Sequence, residues 1–185
     1  DQILDQSNNV IWNDGQGGQQ LTGTFSDLTV TSVTDNTPTG PGGLDSFNFS
    51  GGKLNIYLDS TPDFDATNPS TASNDGVLWL SMDFVGGADL GNPATLVAST
   101  STTGSDPKGN ISVKGTGTAL LDVTGGAAAD IFDTNLFQRL DGSGEFADMA
   151  LNNTFYILTD GKTQDGSPVW SSDPIGANAV PEPAS

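Results

Sequence analysis

Residues 110–123 read NISVKGTGTALLDV, and in them Ile111, Val113, Gly115, Gly117, Ala119, Leu121 and Val123 all fall on one parity. A β-strand turns successive side chains to opposite faces, so so long an alternation predicts a strand with one face toward a core. The small residues Gly115, Gly117 and Ala119 predict that another element packs closely over its middle. The candidate for that element lies just downstream, at Ala127–Phe137 after the Gly125–Gly126 break, where Ala128, Ile131, Phe132 and Phe137 fit an apolar helical stripe. It is the one helix the sequence predicts.

Working outward, Gly76–Phe84 (GVLWLSMDF) puts Leu78, Leu80, Met82 and Phe84 on one face, while Val77 and Trp79 mark a second, partly covered face. That is the pattern of a central strand. Lys53–Ser60 alternates Leu54, Ile56 and Leu58 against Asn55 and Tyr57. In Gln20–Thr34 the parity changes between Phe25 and Leu28, and a bulge near Ser26–Asp27 would bring both runs to the same face. Met149–Thr159, with Leu151, Phe155 and Ile157, reads as a further strand, followed by Asp-Gly turns at Asp160–Gly161 and Asp165–Gly166 and a last strand around Val169–Ser171. Thr34–Gly43, with two prolines and three glycines, is a loop, and so is the polar stretch Thr61–Asp75. Short strands at this spacing predict an all-β fold: an antiparallel β-sandwich with jelly-roll or Greek-key-like connections and one short α-helix. The sandwich is assigned to residues 13–176, preceded by a strand segment at 1–12 and followed by a tail at 177–185.

The composition agrees. The 24 Gly and 10 Pro fall mostly between the apolar runs, where they supply turn geometry. A chain of 185 residues is long enough for one core, burying about 70% of its unfolded surface. Five basic residues against 23 acidic ones give a net charge of −18, which repels nucleic acid phosphates and anionic lipid. With neither Cys nor His, thiolate and imidazole chemistry and nearly every zinc or copper site are excluded. No apolar stretch reaches the length of a membrane span, and the chain starts with neither Met nor a basic-apolar leader, so Asp1 is read as a mature end after export.

Four sets of residues carry candidate functions. Asp59, Asp63, Asp65, Asn68 and Asp75 offer oxygen donors close in sequence, the ligand type of calcium, although their spacing is not that of an EF-hand. The same residues also serve as caps of their own turn, and both readings stay open. The aromatics Trp12, Tyr57, Trp79, Tyr156 and Trp170 allow either core packing or a carbohydrate-stacking surface. Ser/Thr clusters at Thr34–Thr39, Thr67–Ser73 and Ala98–Ser105, and the sequons at Asn48, Asn110 and Asn152, are candidate glycan positions. At the N-terminus Ile3, Leu4, Val10, Ile11 and Trp12 flank the polar break DQSNN, a pattern of one or two short strands at a free end that can pair with another copy. No catalytic set emerges: carboxylates are so abundant that some pair must fall at any given separation, and no His is present to activate a Ser.

The terminal Val180-Pro181-Glu182-Pro183-Ala184-Ser185 resembles the head of the PEP-CTERM sorting signal of exported proteins in Gram-negative biofilm and floc formers, whose tail is processed by an exosortase. Gly51–Gly76 and Gly115–Phe137 are similar to segments of flocculation-associated PEP-CTERM proteins. The resemblance implies secretion to the matrix or cell surface, with membrane contact only before the tail is processed, and a role in cell aggregation without catalytic residues. The expectation is a structural or adhesive matrix protein that forms a homo-polymer by strand pairing. Its rival is a lectin-like module that attaches cells to exopolysaccharide or surface glycans.

Overall fold

The computed structural model describes residues 2–4, 10–13, 15–34, 44–65, 69–73, 76–101, 112–158 and 175–179. They form β1 (Gln2–Leu4), β2 (Val10–Asn13), β3 (Gln20–Thr34), β4 (Leu44–Asp59), β5 (Val77–Val85), β6 (Leu96–Ser101), β7 (Ser112–Gly125), α1 (Ala129–Phe132), β8 (Phe137–Gln138), β9 (Phe146–Ala147), β10 (Met149–Leu158) and β11 (Ile175–Ala179). The main sheet has the order β11-β10-β7-β5-β4-β3, with β6 also lying between β4 and β7. Every pair is antiparallel. The described residues therefore form an all-β, antiparallel fold with one short α-helix. Its described strands follow chain order across the sheet, a meander in place of the Greek-key or jelly-roll return, because strands adjacent in sequence pair with the least loop to close. Two small ribbons, β1–β2 and β8–β9, stand beside it.

β5 and β6 are two halves of one strand position. Val85 pairs with Leu120 of β7, and the next residue of β7, Ala119, pairs with Leu96. Residues 86–95 leave the sheet between those two pairs and return in line. Leu96–Ser101, which overlaps the Ser/Thr cluster Ala98–Ser105 read as a candidate glycan position, is a strand whose Leu96 and Ala98 continue the apolar face, and Ala98 is buried. β11 likewise takes up Ala177–Ala179, which the sequence assigned to the tail, by pairing with Met149–Leu151.

The core lies on one face and gathers Leu54, Leu80, Met82, Phe84, Ala119, Leu121, Met149 and Leu151, with Leu28, Ile56, Leu96 and Val123 partly buried against it. The bulge expected near Ser26–Asp27 is not there: Ser26 pairs with Lys53 and Leu28 with Gly51 in unbroken register, and the shift between β3 and β4 falls between Val30 and Ser32, so a left-handed residue and not an extra one reconciles the two faces. Asp27 has φ 60°, and beyond it Leu28 packs on the core although its parity differs from that of Phe25. The partner strand answers with Gly52 at φ 111°, where a Cβ would come within 2.5 Å of Leu28 Cδ2 and 2.9 Å of Phe84 Cδ2. A bulge corrects the reading of β5. Ile56 pairs with Leu80 and Tyr57 with Leu78, which leaves Trp79 as the extra residue and turns Leu78 out of the core to 40% exposure.

The helix is shorter than expected, Ala129–Phe132 instead of Ala127–Phe137. Ala128 is buried and Phe132 meets Trp79 edge-on at 5.4 Å, but Ile131 is half-exposed and Phe137 belongs to β8. It sits at the Gly125–Gly126 end of β7, tied to β5 by Ala127 N donating to Leu78 O (3.3 Å) and Ala128 N to Trp79 O (2.8 Å). The middle of β7 is not its seat. The helix stops because the next amides, those of Thr134 and Asn135, bond to a side chain in place of helix carbonyls. Among the described residues no helix is long and apolar enough to cross a membrane.

Candidate assembly edges and a buried carboxylate clasp

The main sheet ends on β3 at one side and β11 at the other, so each presents an outer row of backbone donors and acceptors with no further strand among the described residues. β3 is the longer edge at 15 residues and carries the exposed Phe25, Val30 and Val33. The usual edge guards, Pro and Lys, are missing from its sequence QLTGTFSDLTVTSVT. The N-terminal residues form two short strands, as expected, and they pair with each other: Ile3 with Trp12 and Leu4 with Val10, the shift in register leaving Ile11 as the extra residue. This ribbon is its own two-stranded sheet, and Val10 is exposed. A two-stranded ribbon is marginal by itself and gains by joining a larger sheet.

The acidic loop is organised around its own backbone. Asp59 is buried and its Oδ1 accepts the Thr61 N–H at 2.7 Å, an Asx turn. Asp63 and Asp65 are exposed, and the Asp65 N–H donates to Thr71 Oγ1 at 2.9 Å. Asn68 and Asp75 lie outside the described residues, and among those described no group of three acidic side chains is placed to hold a metal ion. Replacing Asp59 by Ala is expected to cost about 1 kcal/mol through the freed Thr61 amide. Urea melts of the parent and the variant measure the loss.

Of the candidate aromatics, the side chains of Trp79 and Tyr57 are described. Trp79 is spent on Phe132, and Tyr57 is half-buried on β4. Trp12 and Tyr156 occupy positions in β2 and β10, and Trp170 lies outside the described residues, as do Val180, Pro181, Glu182 and Pro183 of the sorting motif. Of the sequons, Asn48 is half-buried and its Oδ1 accepts from Asn92 Nδ2, Asn152 is exposed, and Asn110 lies outside the described residues.

The most constrained polar site was not visible in the sequence. Asp148, just before β10, is 0% exposed. Its Oδ2 accepts the Val123 N–H at 2.7 Å, and its Oδ1 accepts those of Thr134 at 2.7 Å and Asn135 at 2.6 Å. Three backbone donors hold this carboxylate and join β7, the chain after α1 and β10. Asp122 lies beside it. Burial first, then the Asp148 charge and a hydrogen bond to its carboxyl, and then the Asp133 charge push the Asp122 pKa up to about 6, against a smaller opposing pull from Arg139. Arg139 anchors the same region: its Nε donates to Gly86 O at 2.9 Å, and its guanidinium reaches Asp141 at 2.7 Å and Glu145. The hydroxyl and amide of Ser143, and then Arg139, hold the Asp141 pKa down to about 2. Leu140 N donates to Gly87 O and Gly91 N to Leu140 O, which binds the 86–95 excursion to the segment carrying β8 and β9.

Set against family models, curated proteins and solved structures, the chain matches none of them.

Proposed function

We propose that this chain is an extracellular structural or adhesive protein that self-assembles by β-strand pairing between copies, as matrix material of a biofilm or floc. The observation that supports the reading most is the coincidence, among the described residues, of an open sheet ending on a long β3 and a short β11 with an N-terminal ribbon that forms its own two-stranded sheet. An edge strand offers main-chain hydrogen bonds to an incoming strand, while alternate side chains set the register. Ile3, Leu4, Val10, Ile11 and Trp12 are the donor positions. A head-to-tail contact of this kind, repeated without closing, gives a filament.

The proposal includes a sandwich-like cover over the apolar face of the sheet, since Met82 and Leu121 at 0% exposure need neighbours above them as well as beside them. It includes secretion from a Gram-negative cell, with Val180–Ser185 as part of a sorting signal and the net charge of −18 keeping the subunits soluble until they pair. No catalytic role and no obligatory cofactor are proposed. The carbohydrate-binding alternative gains no support from the placement of Trp79 and Tyr57, and enters as an outcome of the test.

Removing residues 1–12 tests the reading. The full chain is expected to form pelletable filaments visible by electron microscopy, and the shortened chain to remain a monomer with its circular dichroism and melting temperature preserved. Filaments that persist after the deletion would refute the donor ribbon. A full chain that stays monomeric at every concentration would refute assembly altogether, and its retention on a polysaccharide resin would favour the lectin-like alternative.

A further inference from the structure

We propose that Asp122 and Asp148 form a proton-operated latch that fastens residues 133–148 to the main sheet while Asp122 is protonated and loosens that segment when Asp122 ionises.

The geometry defines both parts of the latch. Asp148 is the fixed part: its two oxygens are held by three backbone N–H groups, and two of those, at Thr134 and Asn135, belong to the segment being fastened. Such donors stabilise the charged carboxylate, so Asp148 is the acceptor of the pair. Asp122 is the moving part. It lies on β7 at the position opposite Asp83 of β5, and Asp83 is already engaged by Lys53 at 2.7 Å. The groups facing Asp122 are thus Asp148 before β10, Asp133 after α1, and Asp83 across the strand pair, all anionic, with Arg139 as the countercharge. Arg139 is already shared among Gly86, Asp141 and Glu145. A protonated Asp122 donates to Asp148 and removes one charge from this group. An ionised Asp122 leaves two carboxylates in contact, and their repulsion acts on the residues that Asp148 holds.

The direction with pH follows from linkage. The folded chain binds this proton more tightly than an unfolded one, with the pKa raised from 3.8 to about 6. Stability of the latch therefore falls as pH rises through that window and is lowest above it. The fastened segment carries the exposed Leu136, Leu140 and Phe146, and it reaches the exposed Leu90 through the Leu140 bonds to Gly87 and Gly91. Proton loss thus loosens the part of the surface where these apolar side chains lie, and this holds whether or not the chain assembles.

Amide hydrogen exchange at Thr134 and Asn135 tests it, with rates corrected for intrinsic pH dependence. In the intact chain, protection is expected to fall at least about tenfold between about pH 5 and about pH 7.5. Asp122→Asn, whose amide donates to Asp148 at any pH, should hold the protected state across the range. Asp133→Asn should keep the fall, since it leaves the titrating group in place. Equal protection of the intact chain at both pH values would overturn the latch whatever the variants do, and so would a fall that survives in Asp122→Asn or vanishes in Asp133→Asn.

Discussion

Asp148→Ala is expected to lower the unfolding free energy by about 3 kcal/mol, a fall of roughly 6–12 °C in melting temperature for a chain of this size. The substitution strips the acceptor from the amides of Val123, Thr134 and Asn135 at once. A buried donor left without a partner costs about 1–3 kcal/mol, and water entering the gap recovers part of the sum. Relief of Asp122 works the other way, because the variant removes the neighbouring charge that helps hold its pKa up. The net loss should therefore be smaller at neutral pH than at about pH 5, where Asp122 in the intact chain carries its proton and donates to Asp148. Urea titrations at both pH values check the size and the order. A midpoint unchanged at either would show that the three bonds do not hold the segment.

Gly126→Ala should be still more damaging, by about 3–5 kcal/mol, whereas Gly125→Ala should stay within about 1 kcal/mol of the parent. Gly126 has φ 105°, a conformation that L side chains avoid, and a Cβ there would sit 2.5 Å from Trp79 O and 2.7 Å from Leu80 Cα. Both atoms are backbone within the central strand, so nothing flexible can give way. At Gly125 the added methyl meets nothing within 4 Å and φ is not positive. Thermal melts of the two variants side by side measure the contrast, and equal effects would mean that α1 is not docked on β5 as described.

Much of the fold was legible because strand alternation is local. The parity change in β3 pointed to Asp27, where the backbone is left-handed, but the bulge read there is absent and the register shifts between Val30 and Ser32. Harder to read was β5, since a bulge at Trp79 reassigns Leu78 without altering the spelling of the run. β6 was hidden by its Ser/Thr content and by the excursion at 86–95 that separates it from β5, although the two share one line in the sheet. β8 and β9, at two residues each, are too short to show any period. At the candidate sites, the N-terminal strands were foreseen as elements. Asp59 was read both as a loop ligand and as a cap of its own turn, and its Oδ1 accepts the Thr61 N–H.

The sequence by itself determined that this chain is an acidic, antiparallel β protein, because a period of two is imposed by the backbone of each strand separately. It also determined the chemistry that Cys and His would have brought and that this chain forgoes. Only the tertiary structure decided which of two adjacent glycines is indispensable and that, among the described acidic residues, Asp59 and Asp148 are the buried ones. Those choices depend on atoms brought together from residues 13 to 25 apart around Asp148, and on the approach of β5 to Gly126, and nothing in the local spelling encodes such neighbours.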